Sequence, residues 1–265
     1  MTSNNIQLVV FDWAGTTVDY GSSAPNHVFN KVFKAHGINL TNEQINAPMG
    51  MEKKSHIRTL LQLPEASEQF KKLNGRDFNE NDVNELYLEF EETLFKVVAE
   101  YSTPIDGVVN TVESLKNKGI KIGSTTGYTS QMMEKVVKRA NDLGYKPDCI
   151  VTPDVTGASR PTPFMLFECM RQMNVYPANK VVKVGDTIVD ILEGKNAGAY
   201  SVGILQGSNL LGLSKEEYDH LDETTLKQKK EEARQKYFAA GADYVIDSIT
   251  DLLPLIDSIN AQNIQ

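Results

Sequence analysis

Six short apolar runs, each closing in small or polar residues, set the tightest limit on how this chain can fold: Gln7–Phe11, Ile120–Ser124, Cys149–Thr152, Val181–Val184, Ser201–Leu205 and Tyr244–Asp247. Strands buried on both faces read this way, as unbroken Val/Ile-rich stretches, whereas a half-exposed antiparallel strand alternates apolar with polar. Helical patterns lie between the runs. Asp106 is placed to cap a helix reaching about Lys118, with Gly119 in the stop position, and Thr129 to cap another ending before Gly144. Thr162–Asn174 and Thr187–Asn196 complete the set. Strands alternating with helices of this size predict βαβ units, hence an α/β, Rossmann-like core with a parallel sheet flanked by helices.

The rhythm breaks after the first run. Between Gly21 and about Tyr101 no buried-strand pattern occurs, and helical patterns take its place at Pro25–His36, Asn42–Ala47, Pro48–Gln62 and Asn79–Glu100. In the last of these Leu86, Phe90, Leu94 and Val97 recur on one face. Asn74–Asn84 is polar and reads as a loop, and Pro104–Gly107 as a linker back to the sheet. The expected division is a core of residues 1–20 and 104–265 and an all-helical cap of residues 21–103. The Lys/Glu-rich stretch Leu213–Ala240 reads as a solvated helical face.

The chemistry-bearing residues collect at predicted strand ends. Asp12 follows the first run in Phe11-Asp12-Trp13-Ala14-Gly15-Thr16-Thr17, at the edge where open α/β sheets bind ligands. Ser124-Thr125-Thr126-Gly127 ends the second and offers hydroxyl and backbone donors. Arg160 follows the third, and Gly185-Asp186-Thr187 ends the fourth with Asp190 one helical turn on. Each alone has a plain structural explanation as a turn, a surface arginine or a helix cap. In series they give a nucleophile-type Asp, a Thr, a cation and an Asp-x3-Asp pair, each after a strand.

That ordered set resembles the four sequence motifs of the haloacid dehalogenase superfamily, over essentially the whole chain and with a helical cap in the matching place. The resemblance implies Asp12 as nucleophile and Mg²⁺ as cofactor, held by Asp12, the Ala14 carbonyl, Asp186 and Asp190. Thr126, Gly127 and Arg160 would then hold the phosphoryl group. The physics agrees: three carboxylates brought together repel unless a cation sits among them, and oxygen donors suit Mg²⁺.

Two departures narrow the substrate. Phosphatases of the superfamily carry a second Asp where this chain has Ala14, and that Asp protonates the leaving alcohol. Ala14 cannot. Within the insert, a helix begun at Pro48 would put Met49, Lys53 and His56 on one face, with Lys54 turned away. An imine between Lys53 and an aldehyde one carbon from phosphorus would accept the electrons of a breaking C–P bond, and the enamine leaving group needs no protonated oxygen. Asp12-Trp13-Ala14-Gly15-Thr16-Thr17, Pro48-Met49-Gly50 with Lys53 and His56, and Ser124 to Tyr128 are similar to the phosphonoacetaldehyde hydrolase (phosphonatase) family. This closer resemblance implies phosphonoacetaldehyde as substrate and Lys53 as Schiff-base lysine. It also implies a homodimer through the cap helices and a place in 2-aminoethylphosphonate degradation. Gly50 and Met49 join the substrate-binding candidates, and His56 and Tyr128 are candidate proton relays. The alternative is a capped phosphatase or phosphomutase acting on a small phosphate ester; a non-catalytic binding protein on the same fold is a third reading.

A formal net charge of −8 argues against a nucleic-acid partner. Two cysteines, Cys149 and Cys169, lack metal-ligand spacing and fit reduced thiols in a cytoplasmic protein. Met1–Gln7 carries no leader pattern, and no apolar run reaches the ~20 residues of a membrane span.

Overall fold

The computed structural model describes residues 5–262; the part of the leader reading that rests on Met1–Asn4 lies outside them. Six strands form one parallel sheet: β1 (Leu8–Phe11), β2 (Lys121–Thr125), β3 (Cys149–Val151), β4 (Val181–Gly185), β5 (Tyr200–Ile204) and β6 (Tyr244–Ile246). Their order across the sheet is β3-β2-β1-β4-β5-β6. β1 is therefore central, paired with β2 on one side and β4 on the other, with Phe11 level with Ser124 and Val184. Its side chains alternate between two buried layers: Val9 and Phe11 join one apolar cluster, Leu8 and Val10 another. This double burial is why the run is unbroken in sequence. The chain leaves β1 in one direction and later returns on its other side, so the crevice beyond the carboxyl ends of β2, β1 and β4 is the topological switch point.

Between β1 and β2 come five helices of the insert, α1 (Ser23–Ala35), α2 (Asn42–Asn46), α3 (Lys53–Leu61), α4 (Pro64–Asn74) and α5 (Glu80–Val97), then α6 (Val108–Asn117). The helices that follow are α7 (Ser130–Asp142), α8 (Pro153–Thr156), α9 (Phe164–Met173), α10 (Ile188–Ala197), α11 (Lys215–His220), α12 (Glu223–Ala239) and α13 (Leu252–Gln262). Phe29 of α1 and Phe90 of α5 stack with ring centroids 4.2 Å apart at the heart of the insert. The two connections to the sheet run side by side, with Val18 bridging Pro104 and Ile105 N donating to Thr17 O.

The structure corrects three expectations inside and beside the insert. Pro48 does not begin a helix: Pro48–Met51 is a turn with Gly50 at φ 87°, and α3 starts five residues later behind Glu52, whose carboxylate accepts from Lys54 N and Ser55 N. The Asn74–Asn84 loop is shorter, because Asn79 caps α5 through Asn81 N, and α4 ahead of it was not anticipated. Asp106 does not cap α6; Gly107 stands at that position at φ 88°, with no side-chain cap. Thr129 caps α7 as expected, accepting from Met132 N.

Candidate active site

Three adjacent strands deliver the first residues. Asp12 sits one residue beyond β1, tied to β4 by its N donating to Val184 O at 2.9 Å, and is 5% exposed. Thr126 and Gly127 follow β2, and Asp186 follows β4. Thr187 caps α10 and donates to Asp190, whose carboxylate thereby turns back towards Asp12. One oxygen from each of Asp12, Asp186 and Asp190 lies within 4.8 Å of the others, all three buried. The Ala14 carbonyl stands beside them, accepting from Ser22 Oγ at 3.0 Å, and the same hydroxyl lies 3.4 Å from Asp186 Oδ2.

Burial pushes the Asp12 carboxyl up, against the pull of Arg160. It pushes Asp186 well above the usual carboxylate range, with Asp12 and Asp190 adding to the effect. Asp190 goes the other way: burial opposes its charge, but Arg160 and Lys183 outweigh it. Both Asp190 oxygens are taken, Oδ2 by Thr187 N and Oγ1, and Oδ1 by Arg160 Nη1 and Lys183 Nζ at 2.9 Å each. Asp186 is held by neutral donors alone, Oδ1 by Thr16 Oγ1 at 3.2 Å and Oδ2 by Asn209 N at 2.9 Å, whereas Asp190 is paired with two cations and Asp12 with one.

Arg160 reaches Asp12 Oδ1 at 2.6 Å through Nη1, and Glu193 Oε2 at 3.1 Å through Nε. Glu193 and Lys183 are site residues that the sequence reading passed over. The buried cluster holds four carboxylates, Asp12, Asp186, Asp190 and Glu193, against two cations, Arg160 and Lys183. With all four ionised it is short of two positive charges, and its donors are hard oxygens. A divalent ion of the Mg²⁺ type fits both facts.

The insert brings the second set of residues over this cluster. Lys53, at the first turn of α3, is 4% exposed. Its Nζ lies 4.0 Å from Met49 Sδ, 5.1 Å from the centre of the Tyr128 ring and 5.9 Å from that of Phe29. Burial lowers the Lys53 pKa to about 8, only partly offset by Asp12. His56 Nε2 lies 2.9 Å from Ile45 O, so that nitrogen carries the proton and Nδ1 is left buried without a hydrogen-bond partner. Burial and then Lys53 hold the ring neutral. Tyr128 Oη is likewise buried without a partner. Asp19, also passed over, accepts from Ser23 N and Ala24 N at the start of α1; burial raises its pKa to about 7.

Insert and sheet meet through two glycines. A Cβ on Gly50 would lie 2.5 Å from Thr187 Oγ1, and one on Gly127 would lie 2.8 Å from the Met51 carbonyl oxygen. The turn Pro48–Met51 is thereby wedged between the loops after β2 and β4. Asp12, Ala14, Ser22, Met49, Lys53 and Thr126 are among the residues around a narrow space of about 20 Å³, the size of one water site. Gly127→Ala is expected to lift the turn and lower kcat/KM by about 10²-fold, since a 1 Å misplacement is enough for that. Its melting temperature should stay close to that of the natural protein; steady-state kinetics beside thermal melts check this, and unchanged kinetics would show that the closed contact is dispensable.

Comparison with known proteins agrees with this architecture. A family model described as haloacid dehalogenase-like hydrolase matches residues 9–204, and a second hydrolase model of the same superfamily matches residues 157–252. A phosphonoacetaldehyde hydrolase of Bacillus mycoides is 46% identical over 259 residues, covering 98% of each chain. One of Bacillus cytotoxicus is 46% identical over 257 residues, covering 97% of each. Among solved structures, a phosphonoacetaldehyde hydrolase-like protein of Oleispira antarctica superposes with a TM-score of 0.96 at 34% identity, covering 98% of this chain and 95% of its own. A β-phosphoglucomutase of Clostridium difficile, at TM-score 0.69 and 17% identity over 98% and 99%, shares the fold alone. Full-length identity at this level, on a sheet that gathers Asp12, Asp186 and Asp190 under a buried lysine, makes the chain a member of the phosphonoacetaldehyde hydrolase family of haloacid dehalogenase-like hydrolases.

Proposed function

We propose that the chain hydrolyses phosphonoacetaldehyde to acetaldehyde and phosphate. The observation that carries this reading is Lys53, buried with a pKa lowered to about 8, above a carboxylate cluster whose usual acid position is Ala14. The Lys53 amine adds to the aldehyde carbon and loses water to form a protonated imine. The Asp12 carboxylate then attacks phosphorus, and the C–P electron pair moves into the iminium as an enamine. Water hydrolyses the aspartyl-phosphate. Protonation of the enamine carbon and hydrolysis of the imine release acetaldehyde and free Lys53. Asp12, Asp186 and the Ala14 carbonyl would hold Mg²⁺, with Asp190 behind them; bound there, the ion screens the nucleophile from the anionic phosphoryl group. Thr126, Gly127 and Arg160 hold phosphoryl oxygens, Met49 and Gly50 shape the aldehyde end, and His56 Nδ1 and Tyr128 Oη relay protons. Residues 21–103 act as a cap that opens about the paired connections to admit substrate and closes to exclude water. The direct test is acetaldehyde release from phosphonoacetaldehyde by the natural protein, with Mg²⁺ and with excess chelator. Release that stops on chelation supports the reading, and turnover of phosphate esters instead would return the site to phosphatase chemistry.

The pH dependence has a definite sign. Lys53 is reactive only without its proton, so kcat/KM rises with pH, reaches half its maximum near the Lys53 pKa of about 8 and levels off above it. A profile flat between pH 6 and pH 9, a range chosen to bracket that value, would show that free Lys53 amine is not required.

No helix among the described residues is long and apolar enough to cross a membrane. A cytoplasmic place rests on Cys149 and Cys169, buried and unpaired by a disulfide. For self-association the reading is a homodimer through the cap helices. The large apolar side chains exposed on the insert are Leu73 and Leu88, whereas the core exposes Val155, Phe164 and Phe167 on α8 and α9, with Tyr176 just beyond. Leu73 and Leu88 are the apolar side chains the cap offers to such a pairing, with the α9 face as the alternative. Leu88→Glu is then expected to convert a dimer to monomer by light scattering, and a dimer that persists there but is broken by Phe167→Glu would move the interface to α9.

A further inference from the structure

Arg160 lies among more charged groups than a phosphoryl-binding arginine needs. Its Nε donates to Glu193 Oε2 at 3.1 Å and its Nη2 to Thr125 Oγ1 at 2.7 Å. Nη1 faces Asp12 Oδ1 and Asp190 Oδ1 at 2.6 and 2.9 Å, yet has no aligned hydrogen-bond partner. Two edges of the guanidinium fork are therefore fixed, and the third, towards Asp12, is the edge left for an incoming oxygen. Lys183 completes the frame from the middle of β4. Its Nζ lies 2.9 Å from Asp190 Oδ1, 3.1 Å from Glu193 Oε2 and 2.9 Å from Thr125 Oγ1. The Thr125 hydroxyl, held by both cations, donates to Glu193 Oε2 at 2.9 Å. Arg160, Lys183, Asp190 and Glu193 have side chains at most 1% exposed.

We infer that Lys183 and Glu193 are positioning residues for phosphoryl transfer: Glu193 anchors the far edge of Arg160, and Lys183 keeps Asp190 partnered when Arg160 Nη1 turns to a phosphoryl oxygen. The inference rests on the phosphoryl-transfer reading above and adds two residues to it. A lysine in a central strand has no other polar partners to seek: Val182 and Val184 on either side of Lys183 are fully buried in the opposite layer. A glutamate at Glu193 is equally costly unless its charge is used. Without Glu193 the guanidinium can slide towards Asp190. Without Lys183, Asp190 holds Arg160 as its one cation. Either change moves Nη1 relative to the attacked phosphorus while leaving Lys53, on the other side of the substrate, untouched.

Two variants test this. Glu193→Gln keeps the shape of the side chain, and the double variant Lys183→Met with Glu193→Gln removes one charge of each sign, so the net charge of the buried cluster is unchanged. For both, kcat for acetaldehyde release falls about 10²-fold, the scale of a small misplacement. KM stays within about threefold, and borohydride trapping of the substrate imine on Lys53 proceeds as in the natural protein. Binding of inorganic phosphate in the presence of Mg²⁺, followed by calorimetry, weakens by about tenfold, which is 1.4 kcal/mol. A kcat within threefold of natural overturns the inference. So does a parallel fall in imine trapping and turnover, which would make the pair a general support of the fold. If the natural protein releases no acetaldehyde, the substrate reading fails, and phosphate affinity decides the positioning role separately: equal affinity in natural and double-variant proteins removes it.

Discussion

Lys53→Arg is expected to lower acetaldehyde release by at least about 10³-fold while the protein still binds inorganic phosphate. The substitution keeps a positive charge in the place where Lys53 faces Asp12, so the field at the nucleophile changes little. What it removes is the capacity to become a neutral amine, because a guanidinium stays protonated at any working pH. Arginine is also larger, and the free space beside Lys53 is only about 20 Å³. Lys53→Met, close to lysine in length and without charge, separates the two effects: it fits beside Met49, Phe29 and Tyr128, and it too should be inactive. If both variants lose turnover and both melt like the natural protein, nucleophilic loss is the cause. If either keeps substantial release, the imine must form elsewhere, and the neighbouring Lys54, half-buried on α3, is the next lysine to replace.

The sheet was legible because its strands are buried on both sides: β1 needs apolar residues at every position, with Val9 and Phe11 facing one layer and Leu8 and Val10 the other, and six such short runs between helical patterns point to parallel strands. The order of Asp12, Thr126, Arg160, Asp186 and Asp190 was legible because each follows a strand, and strand ends share one edge. α4 was missed for the opposite reason. It buries only Ala66 and Phe70, too few for a periodic stripe in a polar sequence. The start of α3 was misplaced because Pro48 looks like a first-turn proline, whereas the chain first makes a glycine turn and caps the helix with Glu52, a residue type outside the usual capping set. Met49 meets Lys53 across that turn rather than along a helical face. The gap in the site itself was instructive. Lys183 lies inside a run read as apolar, Val181–Val184, and a charge in such a run was the one signal that a buried partner must exist. Its partner Glu193 lies on α10 and could not be named before the helix was placed against β4, since only the packed structure brings them within 3.1 Å.

Asp12→Asn should abolish phosphate release, by at least about 10⁴-fold, and at the same time leave the first covalent step running. The amide cannot attack phosphorus, but Lys53 still meets the aldehyde. Substrate is then held as its imine. Borohydride reduction of the variant during incubation with substrate is expected to leave a 2-phosphonoethyl group on Lys53, with the C–P bond intact. In the natural protein the same treatment also yields an ethyl group, from the product imine. Mass spectrometry of the peptide holding Lys53 distinguishes the two. Stability should move the other way. Burial works against the Asp12 charge, and Asp190 repels it, so the metal-free cluster carries one strained anion fewer in the variant. Arg160 loses a partner at 2.6 Å but keeps Asp190 and Glu193. The expected result is a melting temperature equal to or a few degrees above that of the natural protein, the usual sign of a group kept for reaction at the expense of stability. An ethyl adduct in the variant would mean that C–P cleavage needs no Asp12 carboxylate. A lower melting temperature would mean that the Arg160 contact outweighs the repulsion, and that Asp12 belongs to the scaffold as much as to the reaction.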